Sequence, residues 1–341
     1  IIEYFEPKVV KDQGFFRIFR VDHAYQKNNL DAVKSSTDLG FGAADICNVN
    51  VNCPQADNFD DQKRSGCRIY EVLAEGIGFC SGTLVNNTSM DGRPSVLSAY
   101  YCQDGYTPLY DLWRFDFNYQ GSGCLNPFQE PDFNSMLGCE RRAGRQENDF
   151  LLLEITSTIP NAYDVYLSGW DRTGVPPDTS VTIHHPRGDI KKFSRIDQQA
   201  TIHPFPFEWD NGTVTPPNLN FRTIFTLGTF EGGSSGSPLL NKEGYVIGQL
   251  HCGFIHCEGS VGYFGRLSES WEGLGTPDTR LKDWLDPENT EVLTFDGVEH
   301  EVSGSGIIAG YVTNENGIGI KRAGIGLRGA RDTVGMTEEE G

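Results

Sequence analysis

The sequence predicts an all-β protein, a barrel or a sandwich, held together by disulfides. Three observations predict it. Short strand-like runs recur, such as Gly82-Thr83-Leu84-Val85, Phe150-Leu151-Leu152-Leu153-Glu154-Ile155 and Tyr245-Val246-Ile247-Gly248-Gln249-Leu250, with Gly, Pro, Asn and Asp between them. Helical periodicity is scarce. Finally, nine cysteines stand at wide spacings, unlike the close pairs of a zinc site.

Those cysteines also set the compartment. The closest pair is Cys252 and Cys257, with His251 and His256 beside it; no second pair matches it. Disulfides persist in oxidising surroundings, so a secreted, extracellular or cell-surface protein is expected. An odd count leaves at least one thiol free or bonded to another chain. The formal net charge of −19, from 28 Lys and Arg against 47 Asp and Glu, repels nucleic acid and anionic membranes. No run reaches the roughly 18 to 20 apolar residues of a membrane span.

Three zones follow one another along the 341 residues. Residues 1–44 hold no cysteine and open on Ile1-Ile2-Glu3-Tyr4, as expected of a processed chain. Residues 45–292 hold every cysteine and most strand-like runs, with one helix expected at 279–285, closed by Asp286-Pro287. Past Ser303-Gly304-Ser305-Gly306, residues 303–341 read as the start of a small β-sandwich with a strand at Ile325-Gly326-Leu327. That stretch resembles the opening of carboxypeptidase-regulatory-like modules, so further C-terminal modules are expected.

The sharpest chemical signal is Glu231-Gly232-Gly233-Ser234-Ser235-Gly236-Ser237-Pro238. A serine on a tight glycine-rich turn exposes its hydroxyl, and neighbouring amides can converge on an oxyanion. Ser237 is the expected nucleophile, with the amides of Ser235 and Ser237 as the oxyanion hole. The bland reading is an ordinary Ser/Gly-rich turn. No Walker loop, dinucleotide fingerprint or H-E-x-x-H motif is present, so neither a cofactor nor a metal is implied. The acidic stretch Asp57-Asn58-Phe59-Asp60-Asp61 matches no calcium-loop spacing.

Other motifs agree with the first reading. Leu97-Ser98-Ala99-Tyr100-Tyr101-Cys102, Asn148-Asp149-Phe150 and the serine loop resemble the His, Asp and Ser segments of trypsin-like proteases, in that order. Cys47-Asn48-Val49-Asn50-Val51-Asn52-Cys53, Gly169-Trp170-Asp171-Arg172, Ile183-His184-His185-Pro186, Gly248-Gln249-Leu250-His251 and Asp283-Trp284-Leu285-Asp286-Pro287 sharpen the match. Together they resemble the bacterial lysyl endopeptidases over about residues 44 to 292.

The resemblance implies two antiparallel six-stranded β-barrels with a C-terminal helix. It also implies disulfides Cys47–Cys257, Cys53–Cys124 and Cys80–Cys102, leaving Cys67, Cys139 and Cys252, of which Cys67–Cys139 is a further candidate bridge. Asp149 maps to the triad aspartate, and Trp170 and His251 to a pair beside the active site. Residues 1–44 look like a retained pro-region.

Two positions depart from the pattern. Tyr101 stands where the catalytic histidine belongs, and a phenol with a pKa near ~10 is a poor base for a serine hydroxyl. Gly262 stands where the lysine-reading aspartate of the specificity pocket belongs, so lysine preference should be lost. His23, in the extra N-terminal segment, is the one added histidine that could reach the cleft. The expectation is a pseudoprotease, a binding or structural module of a larger surface protein with a protein or peptide ligand. The alternative is an active extracellular endopeptidase without lysine specificity.

Overall fold

The computed structural model describes residues 39–209 and 212–301, together with the backbone strands Gly324–Leu327 and Thr333–Met336. Within them two antiparallel barrels stand side by side. The first is a seven-stranded sheet ordered Asn134–Leu137, Arg114–Phe117, Gly66–Val72, Ile77–Leu84, Ser95–Ala99, Phe150–Ile155 and Cys139–Arg145. Its two edge strands are separated in sequence by Gly138 alone, so the edges meet. Gly138 has φ +84°, and its amide donates to Trp113 O at 2.8 Å, which fixes the corner. This split makes seven strands where six were expected. Leu151, Leu153, Trp113, Phe115 and Phe117 fill the interior. Burial of such side chains contributes about 1.5–3 kcal/mol apiece.

The second sheet has ten strands. Its main path runs Val49–Asn50, Lys192–Ile196, Ser180–His184, Pro238–Asn241, Val246–Phe254, Val261–Arg266, Asn220–Ile224 and Thr201–Ile202. An antiparallel bridge between Arg195 and Leu227 ties the first part of this path back to the segment after Asn220–Ile224 and curls the sheet. Trp170–Asp171 joins Val246–Phe254 by a parallel pairing and Thr294–Phe295 by an antiparallel one, which adds two strands to the eight of the main path, against the six expected.

The expected late helix is the short Lys282–Leu285. It stops because Asp286 turns its carboxylate onto the amides of Thr290 and Glu291, both at 2.9 Å. Two further short helices, Asp60–Ser65 and Leu267–Glu272, lie where no helical pattern stood out. Among the described residues no helix is long and apolar enough to cross a membrane.

Disulfides join Cys47 to Cys257, Cys53 to Cys124 and Cys80 to Cys102. The Cys67–Cys139 bridge is absent, and both thiols are free and buried. Around the closed barrel their strands are separated by three others one way and two the other, at ~4.8 Å per strand, whereas a disulfide needs Cα atoms within ~7 Å. Cys252 is also free.

Arg68 locks the two barrels together. It pairs with Asp116 through Nε at 2.9 Å and Nη2 at 2.7 Å, and its Nη1 donates to Gly188 O across the interface at 2.7 Å. Its guanidinium also lies 3.8 Å from the centre of the Tyr119 ring. The retained pro-region expected at residues 1–44 lies outside the described residues up to residue 38. Gly324–Leu327 and Thr333–Met336 pair antiparallel where the β-sandwich was expected, and the other residues of 303–341 lie outside the described ones.

Candidate active site

Three segments converge between the barrels. The first is the turn Tyr100–Cys102, which follows strand Ser95–Ala99 and is stapled by Cys80–Cys102. The second is Asp149, at φ +59° just ahead of strand Phe150–Ile155. The third is the loop 231–237, which leads into strand Pro238–Asn241.

Long-range bonds shape the serine loop. Gly236 donates its amide to Leu250 O at 2.8 Å, Ser235 O accepts from Ser81 N at 2.9 Å, and Gly233 O accepts from Ser81 Oγ at 2.8 Å. Gly236 has φ +84°, and a Cβ there would lie 2.3 Å from Ser98 Oγ and 2.6 Å from Ala99 N. Only glycine lets the loop press against the strand that leads into Tyr101. Ser234 sits between His184 Nδ1, at 2.8 Å, and the Glu231 amide, at 3.1 Å. Burial, aided by Lys192, pushes His184 down to about 3, so that imidazole is neutral.

This geometry corrects the expected nucleophile. Ser237 is fully buried; its hydroxyl accepts from Thr182 Oγ1 at 3.0 Å and its amide donates to Ser234 O at 3.0 Å. Neither group is available to a substrate. Ser235, two residues earlier, is partly exposed. Among the described residues, the amides of Gly233 and Ser235 have no acceptor. Gly233 has φ +90°, which turns its amide out of the ordinary strand path. The pair Gly233 and Ser235 therefore fits an oxyanion hole, and Ser235 Oγ fits the exposed nucleophile.

Opposite lie Asp149 and Tyr101. Asp149 is 2% exposed. Its Oδ1 accepts the Tyr101 amide at 2.7 Å, while its Oδ2 has no hydrogen-bond partner. Burial holds this carboxyl well above the usual range, and Asp104 adds to the rise against the pull of the Tyr101 and Tyr100 amides. The Tyr101 side chain is 63% exposed. Partial burial, then Tyr106, Glu71, Asp149 and Asp104, raise its phenol further above its ordinary value, so it stays protonated and cannot serve as a base.

His251 approaches the aspartate, with Nε2 3.9 Å from Asp149 Oδ2. That exceeds a hydrogen bond. Burial pushes His251 down to about 3. Its expected partner Trp170 is elsewhere: it packs against Trp271 and Phe295 at ring distances of 4.7 and 5.8 Å and donates to Asn86 O. Trp209 covers His251 instead, at 4.0 Å. Trp209 extends from the hairpin of Phe207–Glu208 and Val214–Thr215, and its indole donates to Thr215 Oγ1 at 2.7 Å. The alternation His203, Phe205, Phe207, Trp209 was the signal for one aromatic face.

The remaining expected residues are also placed. Gly262 lies in strand Val261–Arg266, where a Cβ would meet Phe225 Cε2 at 2.8 Å and Phe264 Cε2 at 3.1 Å. No carboxylate is introduced there. Asp45, Cys47 and Cys257, and separately Glu71, Cys80 and Cys102, cluster closely enough to suggest a metal. Their cysteines are disulfide-bonded, which removes the thiolates a metal would take. His23 lies outside the described residues.

Residues 41–265 match the family described as "Lysyl endopeptidase, C-terminal domain". The chain belongs to the lysyl endopeptidase family. A curated relative, lysyl endopeptidase of Pseudomonas aeruginosa, is 29% identical over 225 residues, 63% of this chain and 46% of that protein. The chain thus spans less than half the length of that relative. Among solved structures it is similar to protease Anisep from Arthrobacter nicotinovorans, at 15% identity and TM-score 0.43, covering 61% of this chain and 91% of that one. It is also similar to the HtrA-type protease AlgW, at 13% identity and TM-score 0.41, covering 62% and 59%. Family membership and three disulfides are consistent with an extracellular protein.

The orphaned carboxyl carries a prediction. Its folded pKa is raised, so between the unfolded value, near ~3.9, and the folded one, the native state binds the extra proton. Stability must therefore fall as pH rises from about 4. Asp149→Asn keeps the oxygen that accepts the Tyr101 amide and removes the ionisation. The variant should be more stable by about 1–3 kcal/mol at neutral pH, with a smaller gain near pH 4, in urea unfolding at both values.

Proposed function

We propose that this member of the lysyl endopeptidase family is a secreted pseudoprotease, a protease scaffold serving as a binding or structural module of a larger surface protein. One observation carries the reading. The base position holds an exposed Tyr101 phenol while Asp149 Oδ2, which would orient an imidazole, is buried without a partner. The nucleophile and oxyanion parts persist in Ser235 and Gly233. They give the cleft a fixed geometry for an extended protein or peptide ligand without providing turnover. Residues 1–44 as a retained pro-region, residues 45–292 as the protease-like domain and a β-sandwich beginning at 303 complete the proposed organisation. Gly262, in place of a carboxylate, supports a ligand without a lysine requirement.

Incubation with a denatured protein substrate, followed by sequencing of new N-termini, tests this directly. The protein should generate none above background, and Tyr101→His should generate them. Cleavage by the unaltered protein, abolished by Ser235→Ala, would establish the alternative of an active endopeptidase.

A further inference from the structure

An acyl group seated on Ser235 would place its oxygen against the Gly233 and Ser235 amides. The chain entering the loop, 229–231, lies beside the strands that carry Gly253 and Gly262, and the side chain of the residue owning that carbonyl would enter between them. Here that slot is already full. Phe230 is 4% exposed, and its Cζ lies 2.7 Å from where a Cβ on Gly253 would stand. Phe225 abuts Gly262 in the same way, and the two phenyl centres are 5.3 Å apart. At the base, Thr229 Oγ1 and Ser260 Oγ pair at 2.6 Å, and both residues are buried. No charged side chain enters among these contacts.

We propose that Phe230 is a built-in plug of the specificity slot, backed by Phe225, and that the cleft takes extended peptides with glycine or alanine at the slot residue. The inference rests on the site reading above, with Ser235 as the exposed serine. Glycines at 253 and 262 open a slot in the backbone, and the phenyl rings fill what the glycines open. A ligand glycine or methyl group asks least of that packing. A larger side chain, apolar or cationic, has to displace a buried phenyl.

Peptidyl diphenyl phosphonates with Ala, Phe or Lys at the slot residue test this on the Tyr101→His protein, beside a simple alkyl fluorophosphonate that needs no slot. The alanine probe should react at least a hundredfold faster than the Phe and Lys probes, and Phe230→Ala should raise the rate of the Phe probe by a similar factor. The comparison of probes on the unsubstituted slot stands even if Phe230→Ala fails to fold. Fluorophosphonate reaction combined with Phe or Lys probes within threefold of alanine would overturn the plug alone. Silence toward every probe, fluorophosphonate included, would overturn the site reading and the plug with it.

Discussion

Tyr101→His should raise the rate of fluorophosphonate labelling by about 10⁴-fold, since loss of the triad base leaves only what the oxyanion hole and binding supply. The rest of the arrangement is in place. Asp149 Oδ1 already holds the amide of residue 101 at 2.7 Å, so the backbone is fixed to the carboxylate that must orient the ring. Oδ2 is buried and unpartnered, ready for an imidazole N–H. Pairing would return the Asp149 carboxyl toward its ionised form and support the imidazolium that develops as Ser235 loses its proton. Tyr101→Phe, by contrast, should label no faster than the unaltered protein. Labelling rates followed by mass spectrometry decide between these outcomes.

Asp116→Asn should destabilise the fold by about 3–5 kcal/mol, the usual result of leaving a buried charge without its partner. Asp116 is fully buried. It accepts from Arg68 twice, from Arg114 Nη2 at 3.0 Å and from Ser135 Oγ at 2.6 Å. Burial opposes its ionisation, but Arg68 and Arg114 prevail and hold its carboxyl below the usual range. Its contribution is therefore present above the unfolded pKa, near ~3.9, and lost as pH falls through the folded value. Urea unfolding at pH 7 should show the full loss, and the gap between variant and parent should narrow toward pH 3. Since Arg68 also reaches Gly188 O in the second barrel, the variant should lose cooperativity between barrels. A change below 1 kcal/mol would mean that the pair is dispensable.

The strand-and-turn rhythm and the scattered cysteines made the fold class legible, because both record local geometry and compartment. Strand number was less so, since a single glycine at 138 divides one run into two. Tyr101 and Asp149 were legible from the segments around them. The nucleophile was not, since Ser234, Ser235 and Ser237 crowd one glycine-rich stretch. The choice among them is made by partners far along the chain: Thr182 takes Ser237, His184 takes Ser234, and Leu250 fixes Gly236. Trp170 and Trp209 pose the same difficulty. Either indole could have covered His251, and a hairpin placed the second one there. Phe230 reads in sequence as ordinary core, and only its approach to Gly253 gives the proposed plug a place.

The most direct test of the whole site is a crystal structure of the Tyr101→His protein after reaction with a fluorophosphonate. The phosphonyl group should sit on Ser235 Oγ, with its oxygen within hydrogen-bond reach of the Gly233 and Ser235 amides. A phosphonyl group on Ser237, or a protein that never reacts, would contradict that assignment.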